Sequence, residues 1–213
     1  MKRIISLVSS FVLVFSLLYI PAYADENTAD TEIIDVNEIN NEDSDIQVSA
    51  PMSFSEMVNH YMEVNGVSYD EALKAFPVRL QKETRASATY RTLSVSLTVT
   101  STYRPRIEFY CRTSESGSYW GILSIYSVQL VRSYSGISKQ FTGNISVWLR
   151  SAYQIEYTIN GDFYNNGTTT VSGGGGLDLG IGESVNISLS ASMSYESNHY
   201  KYFYEHRTVA FQS

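Results

Sequence analysis

A run of strict alternation near the end of the chain constrains the fold more than any other feature. From Val185 to Tyr195 every second residue is apolar, and asparagine and serine fill the positions between. A period of two over this length is typical of a β-strand with one buried and one exposed face. The pattern therefore predicts a sheet that is packed on at least one side.

Similar patterns recur between residue 84 and the end of the chain. They occupy Leu93–Val99, Ile107–Cys111, Trp120–Val131, Ile145–Leu149 and Tyr153–Ile159. The Trp120–Val131 segment is apolar almost throughout, which predicts a strand buried on both faces or one with a bulge. Asn160-Gly161 and Asn166-Gly167 are typical of hairpin turns. About seven to nine strands at this spacing predict one antiparallel β-sandwich, immunoglobulin-like or jelly-roll-like, or a barrel.

The phrase LDLGIGESVNISL, from Leu177 to Leu189, consists of an apolar pair, a glycine turn and an alternating strand. It resembles a pattern common in bacterial immunoglobulin-like and related sandwich domains. The resemblance implies a sandwich fold and no particular activity, since such folds carry many unrelated functions. The four glycines at 173–176 predict either a mobile loop or a place where another backbone approaches closely.

Residues 51–83 contain the helical signals of the chain. Ser53 with Glu56, and Ser68 with Glu71, have the spacing of a capping box. The apolar residues after each box share one helical face: Phe54, Met57, Val58, Tyr61 and Met62 in the first helix, and Tyr69, Ala72, Leu73 and Phe76 in the second. Helices this short are marginal alone. The hairpin must therefore dock on the β-domain, residues 84–213, and one hypothesis is that it covers a sheet edge or a binding face until it is released.

The start of the chain predicts export. Residues 1–24 have two early bases, an apolar run and an Ala22-Tyr23-Ala24 ending, which is typical of a bacterial secretory signal cleaved after Ala24. We therefore expect an extracellular or cell-envelope protein.

Residues 25–50 hold nine of the 22 acidic residues and no base, whereas residues 51–213 hold 13 of each sign. This composition predicts a disordered acidic leader, with a propeptide or a calcium-gathering surface as alternatives. A nucleic-acid partner is not expected, because the chain has no large basic patch.

The residues that carry chemistry in other proteins show no catalytic, metal-binding or cofactor-binding pattern. Cys111 is the only cysteine, and its register with core positions predicts a buried, inert thiol. His199 and His206 are seven residues apart, so a regular strand places them on opposite faces and they cannot share a metal ion. Asp162 and Asp178 are available as an acid and base pair, but both lie in turn contexts, where aspartate usually bonds its own backbone.

The strongest surface signal is aromatic. Thirteen of the 17 tyrosines lie between residues 90 and 204, and the last strand pattern reads HYKYFYEHR. Alternation predicts that Tyr200, Tyr202 and Tyr204 share one face. One interpretation is cross-strand packing. The other is a ligand face formed by these three tyrosines with Trp120, while Trp148 is either part of that face or part of the core.

These observations define the function classes. The first is a secreted, non-enzymatic binding or adhesion module for a cell-surface glycan or protein. The second is a membrane-active protein, pore-forming or bacteriocin-like, because Val185 to Tyr195 has the length of a spanning strand, about 9–11 residues. An uncharacterised secreted hydrolase ranks third, because the sequence shows no recognisable spacing of catalytic residues.

Overall fold

The structure, a computed structural model, describes residues 31–35, 44–80, 88–117, 119–166, 168–172, 175–192 and 198–212. The predicted signal segment, residues 1–24, lies outside the described residues. Within the described parts of the chain, no helix has both the length and the apolar character needed to span a bilayer.

The described residues form two larger sheets, one strand pair and two short helices. In chain order the elements are β1 (Thr31–Asp35), β2 (Ile46–Val48), α1 (Phe54–Asn65), α2 (Tyr69–Leu73), β3 (Thr89–Ser96), β4 (Arg106–Ser116), β5 (Tyr119–Val131), β6 (Ser133–Tyr134), β7 (Ile137–Ser138), β8 (Gln140–Ser151), β9 (Gln154–Tyr164), β10 (Thr168–Ser172), β11 (Leu179–Gly180), β12 (Ser184–Ser192) and β13 (His199–Gln212).

The six-stranded sheet has the order β1-β13-β9-β8-β12-β10, and the five-stranded sheet has the order β11-β5-β4-β3-β2. The pairings are antiparallel, except that β1 runs parallel to β13. The predicted fold class, mainly β with antiparallel sheets and a preceding pair of helices, is confirmed.

The main core lies between the two sheets. Alternation along each strand directs one set of apolar side chains inward, and both sheets contribute to a single buried cluster. Phe109 of the five-stranded sheet and Tyr157 of the six-stranded sheet meet there, with ring centroids 5.9 Å apart. The two sheets therefore pack face to face as a sandwich.

The helices pack on the outer face of the five-stranded sheet, where they form a second buried cluster. Both predicted capping boxes are present: the Ser53 amide donates to Glu56 Oε2 at 2.7 Å, and the Ser68 amide donates to Glu71 Oε2 at 3.0 Å. Gly66 ends α1 in the left-handed conformation with φ of 63°. This docking supplies the apolar contacts that two short helices lack when alone.

The structure differs from the predicted disordered leader, residues 25–50, because two of its segments are strands. Ile46 is fully buried, and β2 pairs with β3 in register from Val95 to Leu93. The triplet Ile46-Gln47-Val48 already has the alternation of a strand, and the edge of a sheet offers unpaired backbone groups that can hold it. The β1 backbone likewise pairs with Thr208–Gln212 of β13.

The predicted turn at Asn160-Gly161 is wrong, because β9 continues through both residues. Gly161 lies opposite Gly143 of β8, and a Cβ on Gly161 would be 2.2 Å from the Thr142 carbonyl oxygen and 2.6 Å from a ring atom of Phe141. The glycine therefore makes room for a close contact inside the sandwich. The second predicted turn, at Asn166-Gly167, lies partly outside the described residues.

Gly175 explains part of the glycine block. A Cβ at Gly175 would be 2.9 Å from the Ala75 Cα, and the Gly176 amide donates to the Ala75 carbonyl at 2.7 Å. The expectation that another backbone approaches closely is confirmed for Gly175, which contacts the segment after α2. Gly173 and Gly174 lie outside the described residues.

Candidate functional site

The outer face of the six-stranded sheet carries a continuous set of polar and aromatic side chains. They alternate with the core positions of β13, β9, β8 and β12, and we call this surface the open face: Tyr202, Tyr204, His206, Asp162, Asn160, Thr158, Glu156, Asn144, Ser146, Trp148, Ser188, Asn186 and Ser184. Tyr202 and Tyr204 are 53% and 56% exposed. The two tyrosine rings are therefore available to a ligand.

The register of the strands places these side chains in rows across the sheet. One row is Tyr204, Asn160, Asn144 and Ser188, and the next is His206, Thr158, Ser146 and Asn186. Neighbouring strands are about 4.8 Å apart, so a row of four spans roughly 14 Å. Each row thus presents hydroxyl and amide groups at regular intervals beside a ring.

Hydrogen bonds hold several of these groups in place. The Tyr202 hydroxyl donates to Asn160 Oδ1 at 2.9 Å, and Ser188 Oγ donates to Asn144 Oδ1 at 2.9 Å. Each amide then keeps its NH₂ group as a donor. The centre of the open face is therefore neutral, partly ordered and able both to donate and to accept hydrogen bonds.

The charged groups of the open face are paired with neighbours. His199 Nε2 lies 2.8 Å from Asp162 Oδ1. Glu156 accepts from Arg150 Nε at 2.6 Å and lies 3.2 Å from His206 Nε2. The Arg150 bond, with a smaller effect of His206, lowers the pKa of Glu156. Because each of these carboxylates is bonded to a neighbouring side chain, the open face is not built to attract a highly charged ligand.

The Arg150 guanidinium also stacks on an aromatic ring at one end of the open face. It lies 3.0 Å from the centre of the Trp148 ring, which is 37% exposed. This contact fixes the indole beside the polar rows. Trp148 is consequently a surface residue, one of the two outcomes that the sequence left open.

Tyr200 does not join Tyr202 and Tyr204. Its ring packs edge-on against the buried Tyr103 at 5.8 Å, and its hydroxyl lies 3.0 Å from Thr100 Oγ1. The pairing of β13 with β9 shifts register between His199 and Lys201, and this irregularity interrupts the simple alternation on which the prediction rested. The structure therefore brings together two of the three predicted tyrosines.

Trp120, the fourth predicted binding residue, lies in the core between the sheets with 6% exposure, and the Arg91 guanidinium is 4.9 Å from its ring centre.

The asparagines and serines of the open face were not singled out from the sequence. Their signal was the polar half of each alternating strand, which marks an outward position without indicating a role.

Cys111, His60, Asp178 and Asp162, whose side chains are reactive or ionisable, are separated in space. Cys111 is fully buried in the core, where burial raises the pKa of its thiol, so the predicted buried thiol is confirmed. His60 lies on the opposite side of the five-stranded sheet, packed against Tyr110. Asp178 pairs with Arg79 at 2.5 Å, and Asp162 pairs with His199. The described residues contain no group of three or more histidine, cysteine or acidic side chains that could hold a metal ion.

A second set of tyrosines lies on the outer face of the five-stranded sheet. Tyr90, Tyr110 and Tyr126 are at most 3% exposed because α1 and α2 cover them, and we call this surface the covered face. Tyr110 makes ring contacts with Tyr61 of α1 at 5.3 Å and with Phe76 at 5.7 Å. The hypothesis that the hairpin covers a sheet face agrees with this packing, and its release stays a prediction.

The covered face encloses a carboxylate. Glu108 is 1% exposed and accepts hydrogen bonds from Arg106 Nε at 2.6 Å and from the Tyr110 hydroxyl at 2.8 Å, while His60 Nε2 lies 3.6 Å away. Burial alone would raise the pKa of Glu108, but His60, Arg106 and Tyr110 together outweigh it and lower the pKa to about 2. Glu108 is thus a charged link between the sheet and α1.

The fold and these surfaces define a two-sheet β-sandwich with one tyrosine-bearing face covered by helices and one exposed. The chain matches no family model, and no similar curated protein or solved structure was found.

Proposed function

We propose that this protein is an exported, non-enzymatic binding module that holds a neutral glycan chain of a cell surface on its open face. The observation that carries the proposal is the pair of exposed rings, Tyr202 and Tyr204, at the end of rows of fixed amides and hydroxyls. A tyrosine ring offers a flat apolar surface with a polar tip. A sugar ring has a matching apolar face and a rim of hydroxyls.

The shape and charge of the open face favour a glycan over the other partners. The face is a sheet surface rather than a deep cavity, which suits an extended chain that lies across several strands. Its acids are paired with His199, Arg150 and His206, which disfavours a strongly acidic or basic ligand. Oriented amides such as Asn144 and Asn160 select a ligand rich in hydroxyl groups.

The test is retention on insoluble neutral polysaccharides, β-glucan and chitin, and on isolated cell walls. Tyr202→Ala and Tyr204→Ala are each expected to weaken retention about tenfold, since truncating an aromatic contact residue commonly costs about 1–2 kcal/mol of binding. Tyr153→Ala is the matched control, because Tyr153 is 45% exposed at the turn between β8 and β9, away from these rows.

The outcomes separate the alternatives. Loss of retention in both open-face variants, with the Tyr153 variant unchanged, supports the proposal. If the Tyr202 and Tyr204 variants bind like the parent, the open face is not the site. If binding to cells persists after enzymatic removal of glycans, the partner is a protein and the glycan proposal fails.

The membrane-active alternative makes a different prediction. A pore-forming strand must present its aliphatic side to lipid, whereas Ile187 and Leu189 of β12 are 1% and 4% exposed within the core. We therefore expect no dye release from liposomes at micromolar protein. Leakage at that concentration would favour the membrane-active function over glycan binding.

A further inference from the structure

A cavity of about 380 Å³ opens at the side of the sandwich, between the helices, the edge of β5 and the strand β12. The edge of β5 is open here because its neighbour β11 is only two residues long. The short strand pairs with Ser124 and Ile125 and does not reach the end of β5 at Val131. Pockets for small organic ligands start at about 300 Å³. The cavity is therefore large enough for a small molecule.

The part of the cavity wall that faces the core between the sheets is apolar, whereas Asn65 and Gln129 line the side next to the helices. The apolar side chains belong to the core between the sheets and are at most 6% exposed: Val128, Leu130, Ile145, Ile187 and Leu189. Water in contact with such a wall is displaced favourably by a hydrocarbon group. The core-facing side of the cavity therefore suits an alkyl chain.

The rim of the cavity is cationic. Lys74 follows α2, and Arg132 follows β5. One carboxylate, Glu71, also lies at this rim, and its Oε2 accepts from the Ser68 amide at 3.0 Å and from the Ser68 hydroxyl at 2.8 Å. These bonds, and to a smaller extent the charge of Lys74, lower the pKa of Glu71. Lys74 therefore has a carboxylate nearby, whereas the hydrogen bonds that Arg132 makes within the described residues go to neutral acceptors.

Arg132 is half-buried, yet its hydrogen-bond acceptors are neutral. Its Nη1 donates to the Lys139 carbonyl at 3.1 Å, to Thr169 Oγ1 at 3.0 Å and to the side-chain oxygen of Gln140. Burial lowers the pKa of Arg132, which reflects a guanidinium that has lost water without gaining an anion. A bidentate anion is the natural partner of such a group.

From these observations we propose that the cavity binds a single-chain amphiphile with an anionic head, of the chemical class of a medium-chain fatty acid. The carboxylate lies at Arg132 and Lys74, and the alkyl chain extends along Ile187 and Leu189. This site is separate from the open face, so the proposal does not depend on glycan binding.

The test is calorimetric titration of the purified protein with a series of ligands below their micellar concentrations. Decanoate is expected to bind. Decanol, which keeps the chain and loses the charge, is expected to bind at least about tenfold more weakly, since a hydrogen bond to a charged group contributes about 1.5–3 kcal/mol. Decyltrimethylammonium should not bind, because its head is cationic, and butyrate should bind far more weakly than decanoate, because its chain is short.

Two variants locate the site. Lys74→Met and Arg132→Met should each weaken decanoate binding, by roughly three- to tenfold, since one charged contact is lost. Lys201→Met removes one positive charge from β13, outside the cavity, and should leave decanoate binding unchanged. Lys74 is exposed, so its variant is expected to fold even if the Arg132 variant does not.

Several results would overturn the proposal. These are absence of decanoate binding, equal affinity for decanoate and decanol or for decanoate and butyrate, and unchanged affinity in the Lys74 variant. Sedimentation with vesicles of anionic phospholipid provides the last arm. If the protein binds such vesicles and not free decanoate, its ligand is a membrane surface rather than a free amphiphile.

Discussion

Both outer faces of the sandwich carry tyrosines, but only one of them is covered. Tyr110 and Tyr126 on the five-stranded sheet are fully buried beneath the helices, whereas Tyr202 and Tyr204 on the six-stranded sheet are more than half exposed. Tyr110, Tyr202 and Tyr204 lie in strands with an alternating pattern, whereas the strand of Tyr126 is apolar almost throughout. What differs is whether another part of the chain packs on that side.

The comparison separates two uses of the same residue type. A covered tyrosine adds buried area and ring contacts, so its ring stabilises the fold. An exposed tyrosine adds little to folding stability, and its ring remains available to a partner. We expect substitutions on the covered face to change stability and substitutions on the open face to change binding.

The largest effect is expected for Tyr110→Ala, which removes a fully buried ring and the hydroxyl that bonds Glu108. Truncation of a large buried aromatic typically costs about 3–5 kcal/mol. Urea unfolding followed by circular dichroism measures the loss. A cost below about 1 kcal/mol, the range of surface substitutions, would remove the distinction between the two faces.

A smaller, pH-dependent effect on the free energy of unfolding is expected from Glu108. Its pKa is lowered from 4.5 to about 2 in the folded protein. The stabilisation by Glu108 is therefore complete at pH values above its pKa in the unfolded chain, and it is lost as the pH falls toward and through its pKa in the folded protein. The parent should lose roughly 2 kcal/mol from this group between pH 6 and pH 3.

Glu108→Gln should lack this part of the pH dependence, as measured by urea unfolding at both pH values. Glu63→Gln on α1 controls for the loss of an exposed carboxylate. An identical pH slope in the Glu108 variant and the parent would show that the covered face does not hold a paired charge.

The N-terminal cap of α1 tests how much the helices on the covered face contribute to the free energy of unfolding. Ser53→Ala removes the side chain that accepts from the Glu56 amide and should cost about 1 kcal/mol. Ser55→Ala, in the first turn of the same helix and exposed, is the matched control. If both variants unfold at the same urea concentration, the Ser53 cap does not stabilise the helix that covers the sheet.

The smallest effect is expected on the open face. Tyr204→Ala should change the free energy of unfolding by no more than about 0.5 kcal/mol, because surface substitutions rarely change it further. The same unfolding assay measures it beside Tyr110→Ala. A loss of several kcal/mol would mean that the ring is part of the packing and would remove Tyr204 from the proposed site.

Local sequence signals predicted local structure well. Capping boxes at Ser53 and Ser68 and alternation in the long strands were confirmed, because each depends on residues close in the chain. The predicted turn at Asn160-Gly161 failed because Gly143, eighteen positions earlier in the chain, lies opposite Gly161 and the two backbones approach closely. Pairing between distant segments is invisible to a local pattern.

The candidate site was predictable only in part. Alternation placed Tyr202 and Tyr204 on one face, but a register shift moved Tyr200 away and the core took Trp120. One signal of the covered face was present, because the Trp120–Val131 segment, which carries Tyr126, is apolar almost throughout. Tyr110, however, lies in an alternating strand, as Tyr202 and Tyr204 do, and alternation alone does not tell a covered ring from an exposed one. Burial by the helices is a tertiary contact, and it decided which set is accessible.

The most direct test of the account is hydroxyl-radical footprinting of the tyrosines, with and without a polysaccharide that retains the protein. Tyr202 and Tyr204 should be oxidised rapidly in the free protein and protected in the complex, while Tyr110 and Tyr126 should be protected in both. Rapid oxidation of Tyr110 in the free protein would contradict the covered face. Unchanged oxidation of Tyr202 and Tyr204 in the complex would contradict binding at the open face.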